Sequence, residues 1–305
     1  MYGFKVADNS KYKFINEYKD GYYYIVKNKK ILNKVIFDEV KPIYCYSFKG
    51  IYLQLVASEV YYSHAVYDFN PILVWGSKKI ALWHGVPVKE IGPRADWGNL
   101  KIVRKLKQNL FARIFPHAYY MYCDSVVCPF PDRIEDYRRY FSIAKPQVLI
   151  ERQPRTIYAR KLPKKNQILF APTHRMQFSN FNMNEYLKKT GLMDERLVNE
   201  LNKSGIELVI RPHPIDKETF KEMKLPENYR LDFSDDIYET INHYKLIITD
   251  FSSLYYDAIE LGIVARLVVP DLDEWQSKVG VAPSFFEEFT KNGRESILHA
   301  VCDLK

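Results

Sequence analysis

Apolar residues along this chain fall into short runs, separated by stretches in which they recur at helical spacing. Tyr22–Val26, Pro42–Tyr46, Ile72–Trp75, Ile80–Trp83, Ser125–Cys128 and Gln147–Ile150 have the length and composition of strands. Phe48–Ala57 and Arg133–Phe141 read as helices between them, and Asn9 or Ser10 is placed to cap a helix through Tyr12, Phe14 and Ile15. Residues 1–20 offer no buried strand, so the first sheet is expected to be short. Gln153–Gln167, rich in Pro, Lys and Arg and without an apolar period, reads as a linker. The alternation then restarts. Ile168–Ala171, Glu207–Ile210, Leu246–Thr249 and Ala265–Val269 read as strands, and Met193–Leu201, Asp236–Asn242 and Ser252–Leu261 as helices, before a helical tail over Phe285–Leu304. Strands alternating with helices predict parallel sheets covered on both faces, so the fold class is α/β, in two halves with a seam near residue 155. Ligands of such folds bind at the carboxyl ends of strands, typically in the cleft between halves.

Four polar motifs follow predicted strands. Trp83-His84-Gly85-Val86-Pro87-Val88-Lys89 follows the fourth, and Ala171-Pro172-Thr173-His174-Arg175 the first strand of the second half. Arg211-Pro212-His213-Pro214 comes next, and then Thr249-Asp250-Phe251-Ser252-Ser253, which opens a helix. A strand, a tight turn and a helix start aim backbone N–H groups and hydroxyls at one point, which suits a phosphate. Ser252 or Ser253 as a plain helix cap is the equally open reading of that stretch taken alone. His84, at a strand end before a glycine, is a general-base candidate. His213 is held between prolines beside Arg211 and fits a diphosphate oxygen. Glu260, two turns into the helix, could reach ribose hydroxyls; Asp257 could do the same or brace a basic residue. His174, Arg175 and Arg155 are placed to line a cleft. His64, His117, His243 and His299 have no supporting pattern and read as structural or surface residues.

Composition changes this picture in three places. Hydrophobic residues at 47% and charged residues at 27% belong to a globular chain, and no apolar run reaches the length of a membrane span. Lys+Arg 45 against Asp+Glu 37 gives a net charge of +8, which favours anionic partners. The basic residues are dispersed and no RNA- or DNA-binding motif is present, so nucleic acid is set aside. Cys45, Cys123, Cys128 and Cys302 form no Cys-x-x-Cys pair and are expected as buried free thiols, with no metal site, in a reducing cytoplasm. Residues 101–115 read as a basic amphipathic helix. It either packs on its domain with a solvated face or meets anionic lipid through Lys101, Arg104, Lys105 and Lys107.

Together these motifs resemble the CDP-glycerol glycerophosphotransferase family, which builds teichoic acid and related capsule polymers. The resemblance rests on Trp83–Lys89, Pro154-Arg155, Ala171–Arg175, His213-Pro214, Thr249–Asp257 and Pro270–Trp275, in family order. The family's glycine before the Pro-Arg segment is replaced here by Arg152-Gln153. The resemblance implies a GT-B-like fold of two Rossmann-like, doubly wound domains facing a cleft, 1–152 on the acceptor side and 153–305 binding the donor. It implies CDP-glycerol as donor, no cofactor, and a lipid-linked or glycan acceptor, handled in the cytoplasm on the inner face of the membrane. His84 and His213 would be catalytic. Arg211, Thr249, Asp250, Ser252, Ser253, Asp257 and Glu260 would serve the donor, and Gly85, Lys89, Arg155, Thr173, His174 and Arg175 would line the cleft. The rivals are a CDP-ribitol-using relative and a GT-B transferase of CMP-sialic acid or CMP-Kdo, which also pairs a His-Pro motif with a serine motif.

Overall fold

Strands buried on both faces must be apolar along nearly their whole length, and the central strands of the second half, with Ile168–Phe170, Leu208–Ile210 and Leu246–Ile248 all covered, are. A computed structural model describes residues 8–89, 91, 114, 121–141, 147–160, 162–175 and 181–304. The described chain divides into two compact units, one ending at Tyr158 and the other starting at Ala159; Pro87, Val88 and Lys89 belong to the second.

In the first unit, helix α1 (Asp8–Glu17) precedes a two-residue parallel pair, β1 (Ile25–Val26) and β2 (Ile43–Tyr44), and helix α2 (Phe48–Val56). Its main sheet is β3 (Glu59–Tyr62), β4 (Lys78–Ala81), β5 (Ser125–Cys128) and β6 (Gln147–Ile150), adjacent in that order and all parallel. Helix α3 (Ile134–Tyr140) makes the crossover from β5 to β6, and α4 (Pro154–Ala159) follows β6. Three expectations are corrected here. Ile72–Trp75 is a turn, because the Asn70 side chain accepts from the backbone N–H of Ile72 (3.0 Å) and Leu73 (3.4 Å), and Pro71 follows it. Glu59–Tyr62 supplies a strand that the pattern did not offer. The linker carries α4, with Pro154 in its first turn where a missing N–H costs nothing. The helix expected over 101–115 lies outside the described residues, apart from Ile114.

In the second unit a single sheet has the order β12-β11-β10-β7-β8-β9, all parallel. In chain order its elements are β7 (Gln167–Ala171), α5 (Met183–Thr190), α6 (Glu195–Lys203), β8 (Glu207–Ile210), α7 (Lys217–Lys221) and β9 (Tyr229–Leu231). Then come β10 (Tyr244–Thr249), α8 (Leu254–Leu261), β11 (Val264–Val268), α9 (Leu272–Lys278), α10 (Pro283–Asn292), β12 (Gly293–Arg294) and α11 (Ile297–Cys302). Ile168, Phe170, Leu208, Ile210, Leu246 and Ile248 turn one face to Leu197 and Leu201 of α6 and to Ile297, Ala300 and Val301 of α11. Leu169, Val209 and Ile247 are equally buried. The helix expected over Asp236–Asn242 is two 3-10 turns, Ile237–Glu239 and Ile241–His243. The helical tail is broken by β12. There a Cβ on Gly293 would lie 2.4 Å from the Phe289 carbonyl, so only glycine lets the chain turn off α10. Of the four cysteines, three are buried; Cys302, at the end of α11, is exposed.

The strand order reverses between β7 and β10. The chain runs outward through β8 and β9 on one side and through β11 and β12 on the other. A crevice opens at the carboxyl ends of strands at such a switch point. Here those ends carry Thr173–Arg175 and Asp250–Ser253.

Candidate active site

In the first unit the site is built after β3 and β4. Beyond β4 the chain turns sharply, with Trp83 at φ 56° and Gly85 at φ 123°. A positive φ is open to glycine but strained for a tryptophan, so surrounding contacts must hold it. They do: Asn9 Nδ2 donates to the Trp83 carbonyl (2.7 Å), and the indole packs edge-on against Phe141. Asn9 lies inside α1, not at its cap, and is spent on joining distant segments. Its Nδ2 also donates to Gln153 Oε1 (3.1 Å), and its Oδ1 accepts from the Arg155 backbone (3.2 Å). Asp8, ahead of it, forms an ion pair with Arg155 Nη1 at 2.7 Å. Burial works to raise the Asp8 pKa, but the Arg155 guanidinium, His64 and His84 together hold it below the usual carboxylate value.

The strained turn presents His84 with Nδ1 3.2 Å from the Ser63 carbonyl. A carbonyl only accepts, so Nδ1 carries the proton and Nε2 of the neutral ring keeps its lone pair. Burial lowers the His84 pKa, against the nearby Asp8 carboxylate, so the ring stays neutral further into acid. His64, expected to be structural or on the surface, lies stacked on His84 with centroids 5.1 Å apart and planes 12° apart. Burial above all pushes its pKa down to about 3, and the neighbouring His84 adds to it. Arg155 supports this cluster through Asp8.

In the second unit the switch point is held by one buried ion pair. Asp250 is wholly covered, and its carboxylate accepts from Thr173 N (2.9 and 3.0 Å), Thr173 Oγ1 (2.5 Å), Arg175 Nη1 (2.6 Å) and Tyr186 Oη (2.9 Å). Arg175 grips Asp271 with its other edge, at 3.0 Å for both bonds. Burial raises the Asp250 pKa, but Arg175 and the Thr173 hydrogen bond outweigh it and the net shift is down. The Arg175 guanidinium is disfavoured by burial yet raised overall, by Asp250 first. It lies over the Tyr186 ring (4.1 Å) and near Trp275 (5.1 Å). Trp275 stacks on Phe251 (4.1 Å), and Lys89 Nζ sits 4.9 Å from the Trp275 ring. Asp250 and Arg175 therefore brace the switch point from behind. Thr249 does the same, its buried hydroxyl donating to the Ala171 carbonyl (2.6 Å) and tying the ends of β7 and β10 together.

The turn after Asp250 leaves Ser252 and Ser253 half-buried at the start of α8. Ser252 Oγ accepts from Leu254 N (3.2 Å), whereas Ser253 makes no side-chain cap. Asp257 is buried and accepts from Tyr238 Oη (2.7 Å); Glu260 is nearly covered, and Arg160 donates to its carbonyl. Arg211 gives its guanidinium to Asp232 (2.7 Å) and to Ser234 Oγ (2.7 Å) and O (2.6 Å). His213, exposed between its prolines, accepts from Ile215 N at Nδ1 (3.3 Å). His174 stacks on it at 5.3 Å and pairs through Nδ1 with Asp216 (2.6 and 2.7 Å). Among the described residues, His174, His213 and Asp216 have ligand atoms that all lie within 4.8 Å of one another. Asp8, Asn9, His64, Tyr186 and Asp216 were not offered by the motifs, and Asp271 stood in one without a role; the partners that give them one lie far off in the chain.

The family model of CDP-glycerol:poly(glycerophosphate) glycerophosphotransferase matches residues 4–289. The chain belongs to this family. It is thus a CDP-glycerol glycerophosphotransferase, an α/β transferase with parallel sheets. Among solved structures, the wall teichoic acid polymerase TagF is similar to the glycerophosphotransferase with a TM-score of 0.72 at 21% identity, over 100% of this chain and 77% of that one. A single-residue variant of TagF gives 0.71 at 20% identity, over 99% and 77%. Another, with CDPG, gives 0.67 at 20% identity, over 100% and 77%. These likenesses show a shared fold. A comparison with curated proteins finds no match. Among the described residues, no helix of the glycerophosphotransferase is long and apolar enough to cross a membrane.

Proposed function

We propose that this glycerophosphotransferase moves glycerol phosphate from CDP-glycerol to a hydroxyl of a lipid-linked or glycan acceptor, in the synthesis of a teichoic-acid-like or capsule polymer. The acceptor oxygen attacks the phosphorus that bears glycerol. A new phosphate ester forms, the diphosphate bond to the cytidine side breaks, CMP leaves, and the acceptor proton passes to His84 Nε2. Charge builds on phosphate oxygens, so the protein contributes mainly by positioning and electrostatics. His213 and the Ser252-Ser253 turn hold the phosphates. Arg211, already held by Asp232, adds positive charge nearby. The observation that carries the reading is the Ser63 carbonyl on His84 Nδ1, which leaves a base at Nε2. On this reading the acceptor meets the first unit, and a cavity there of about 420 Å³, lined by Tyr22, Tyr24, Tyr61 and Asp68 among others, supports it. The Asp68 carboxylate accepts from the backbone N–H of His64 (3.2 Å).

A donor panel tests this. CDP-glycerol should yield CMP, while CDP-ribitol and CMP-sialic acid should not. Ser252→Ala with Ser253→Ala removes two hydroxyls and keeps the backbone donors, so CDP-glycerol affinity should fall by about 1–3 kcal/mol. CMP release from CMP-sialic acid alone would replace the reading with sugar transfer. Unchanged affinity in the folded double variant would make the serines helix caps only.

The same reading has the enzyme work on the inner face of the membrane, with the basic stretch Lys101, Arg104, Lys105 and Lys107 meeting anionic lipid. Each such residue is worth about 1 kcal/mol near the surface. Changing all four to glutamine should lower co-sedimentation with phosphatidylglycerol vesicles; equal binding by both proteins would remove lipid as a partner of this stretch.

A further inference from the structure

His174 and Asp216 have no part in the transfer step, yet they are built as a pair. Asp216 is buried, and both its oxygens lie within 2.7 Å of His174 Nδ1. A carboxylate only accepts, so Nδ1 carries the proton and Nε2 of the neutral ring is an acceptor. His213 has the opposite arrangement. Its Nδ1 accepts from the Ile215 backbone N–H, which puts the proton of the neutral ring on Nε2. The two rings stack 5.3 Å apart at 23°. One therefore offers a donor and its neighbour an acceptor.

A CDP-alcohol has the same opposed polarity over the same span. Its phosphate oxygens only accept, and the hydroxyls of its alcohol donate. A glycerol hydroxyl lies roughly 4–5 Å from the phosphate oxygens by ordinary bond lengths. A donor whose phosphate meets His213 thus brings a hydroxyl to His174. We propose that His174, oriented by Asp216, accepts a hydrogen bond from a hydroxyl of the donor's alcohol, so that the second unit recognises the glycerol as well as the diphosphate. This rests on CDP-glycerol being the donor. His174 is a binding and specificity residue in this role, and Asp216 positions it. A divalent cation held by His174, His213 and Asp216 is the competing occupant. It could take the lone pair of His174 Nε2, but at His213 it would have to displace either the Nε2 proton or the Ile215 N–H from Nδ1.

The test is calorimetric titration of the full chain with CDP-glycerol and with CDP-propanol, which has the same diphosphate charge and no free hydroxyl. Wild type should prefer CDP-glycerol. His174→Ala should lose about tenfold in CDP-glycerol affinity, as for one hydrogen bond, and keep its affinity for CDP-propanol. His174→Gln can place an amide oxygen where Nε2 was and should keep most of the preference, whereas Asp216→Ala should lose part of it. Equal losses for both ligands would make His174 a diphosphate contact and overturn the inference, as would no loss at all. A wild-type preference abolished by EDTA and restored by Mn²⁺ would overturn it in favour of a cation site. Wild type binding neither ligand would instead sink the CDP-glycerol reading itself.

Discussion

Replacing His84 with alanine lowers CDP-glycerol turnover by about 10²–10⁴-fold, the usual contribution of a positioned base, and leaves donor affinity where it was. The argument is local. Asn9 and the packing of Trp83 hold a backbone turn that a tryptophan would not adopt unaided. That turn sets the imidazole against the Ser63 carbonyl, which fixes the tautomer. Burial keeps the ring neutral. His213 gives the contrasting result: its alanine variant should lose donor affinity and turnover together, because it meets the diphosphate and not the acceptor proton. Donor affinity is read by calorimetry and turnover by CMP release. A folded His84→Ala protein with near-normal turnover would move the base elsewhere.

Replacing Arg175 with methionine costs about 3–5 kcal/mol of stability, read from urea unfolding. Arg175 is fully buried between two carboxylates, Asp250 and Asp271, and its removal strands both. The effect has a pH signature. The folded-state pKa of Asp250 is depressed, so its contribution is present above the unfolded value of 3.8 and is lost only as pH falls through the lower folded value. Without the guanidinium, the Thr173 and Tyr186 hydrogen bonds are left to oppose burial, and the Asp250 pKa rises from its wild-type value. The variant should therefore gain stability as Asp250 takes up a proton, narrowing the gap to wild type in mild acid. A cost under about 1 kcal/mol would mean that water or a neighbouring cation replaces Arg175. Lys89, close enough to Asp250 to feel its charge, is the group that could do so.

Much of the second unit was legible because its strands are buried on both faces. Leu246–Thr249 has no choice but to be apolar, and its end in Thr-Asp-Phe-Ser-Ser marks the switch point. The first unit was harder. Glu59–Tyr62 alternates exposed and covered positions and is rich in tyrosine, and β1 and β2 have two residues each. With β3 unread, His64 at its end had no context, and its stacking on His84 could not be foreseen. Asn9 reaches the Trp83 carbonyl 74 positions away and Asp8 reaches Arg155 147 positions away, pairings that no local pattern encodes. Asp250 was legible as part of a motif but not in its role. A carboxylate before a helix start suggests a ligand contact, and only the positions of Thr173, Arg175 and Tyr186 turn it into a buried brace.

The dependence of kcat/KM for CDP-glycerol on pH, in wild type and in His84→Ala, tests the central claim most directly. If His84 is the base, wild-type activity falls on the acid side as one group takes up a proton, with a midpoint below the ordinary histidine value of 6.5, and the residual activity of His84→Ala lacks that limb. An acid limb that persists unchanged in His84→Ala, or one in wild type centred above 6.5, would contradict the assignment.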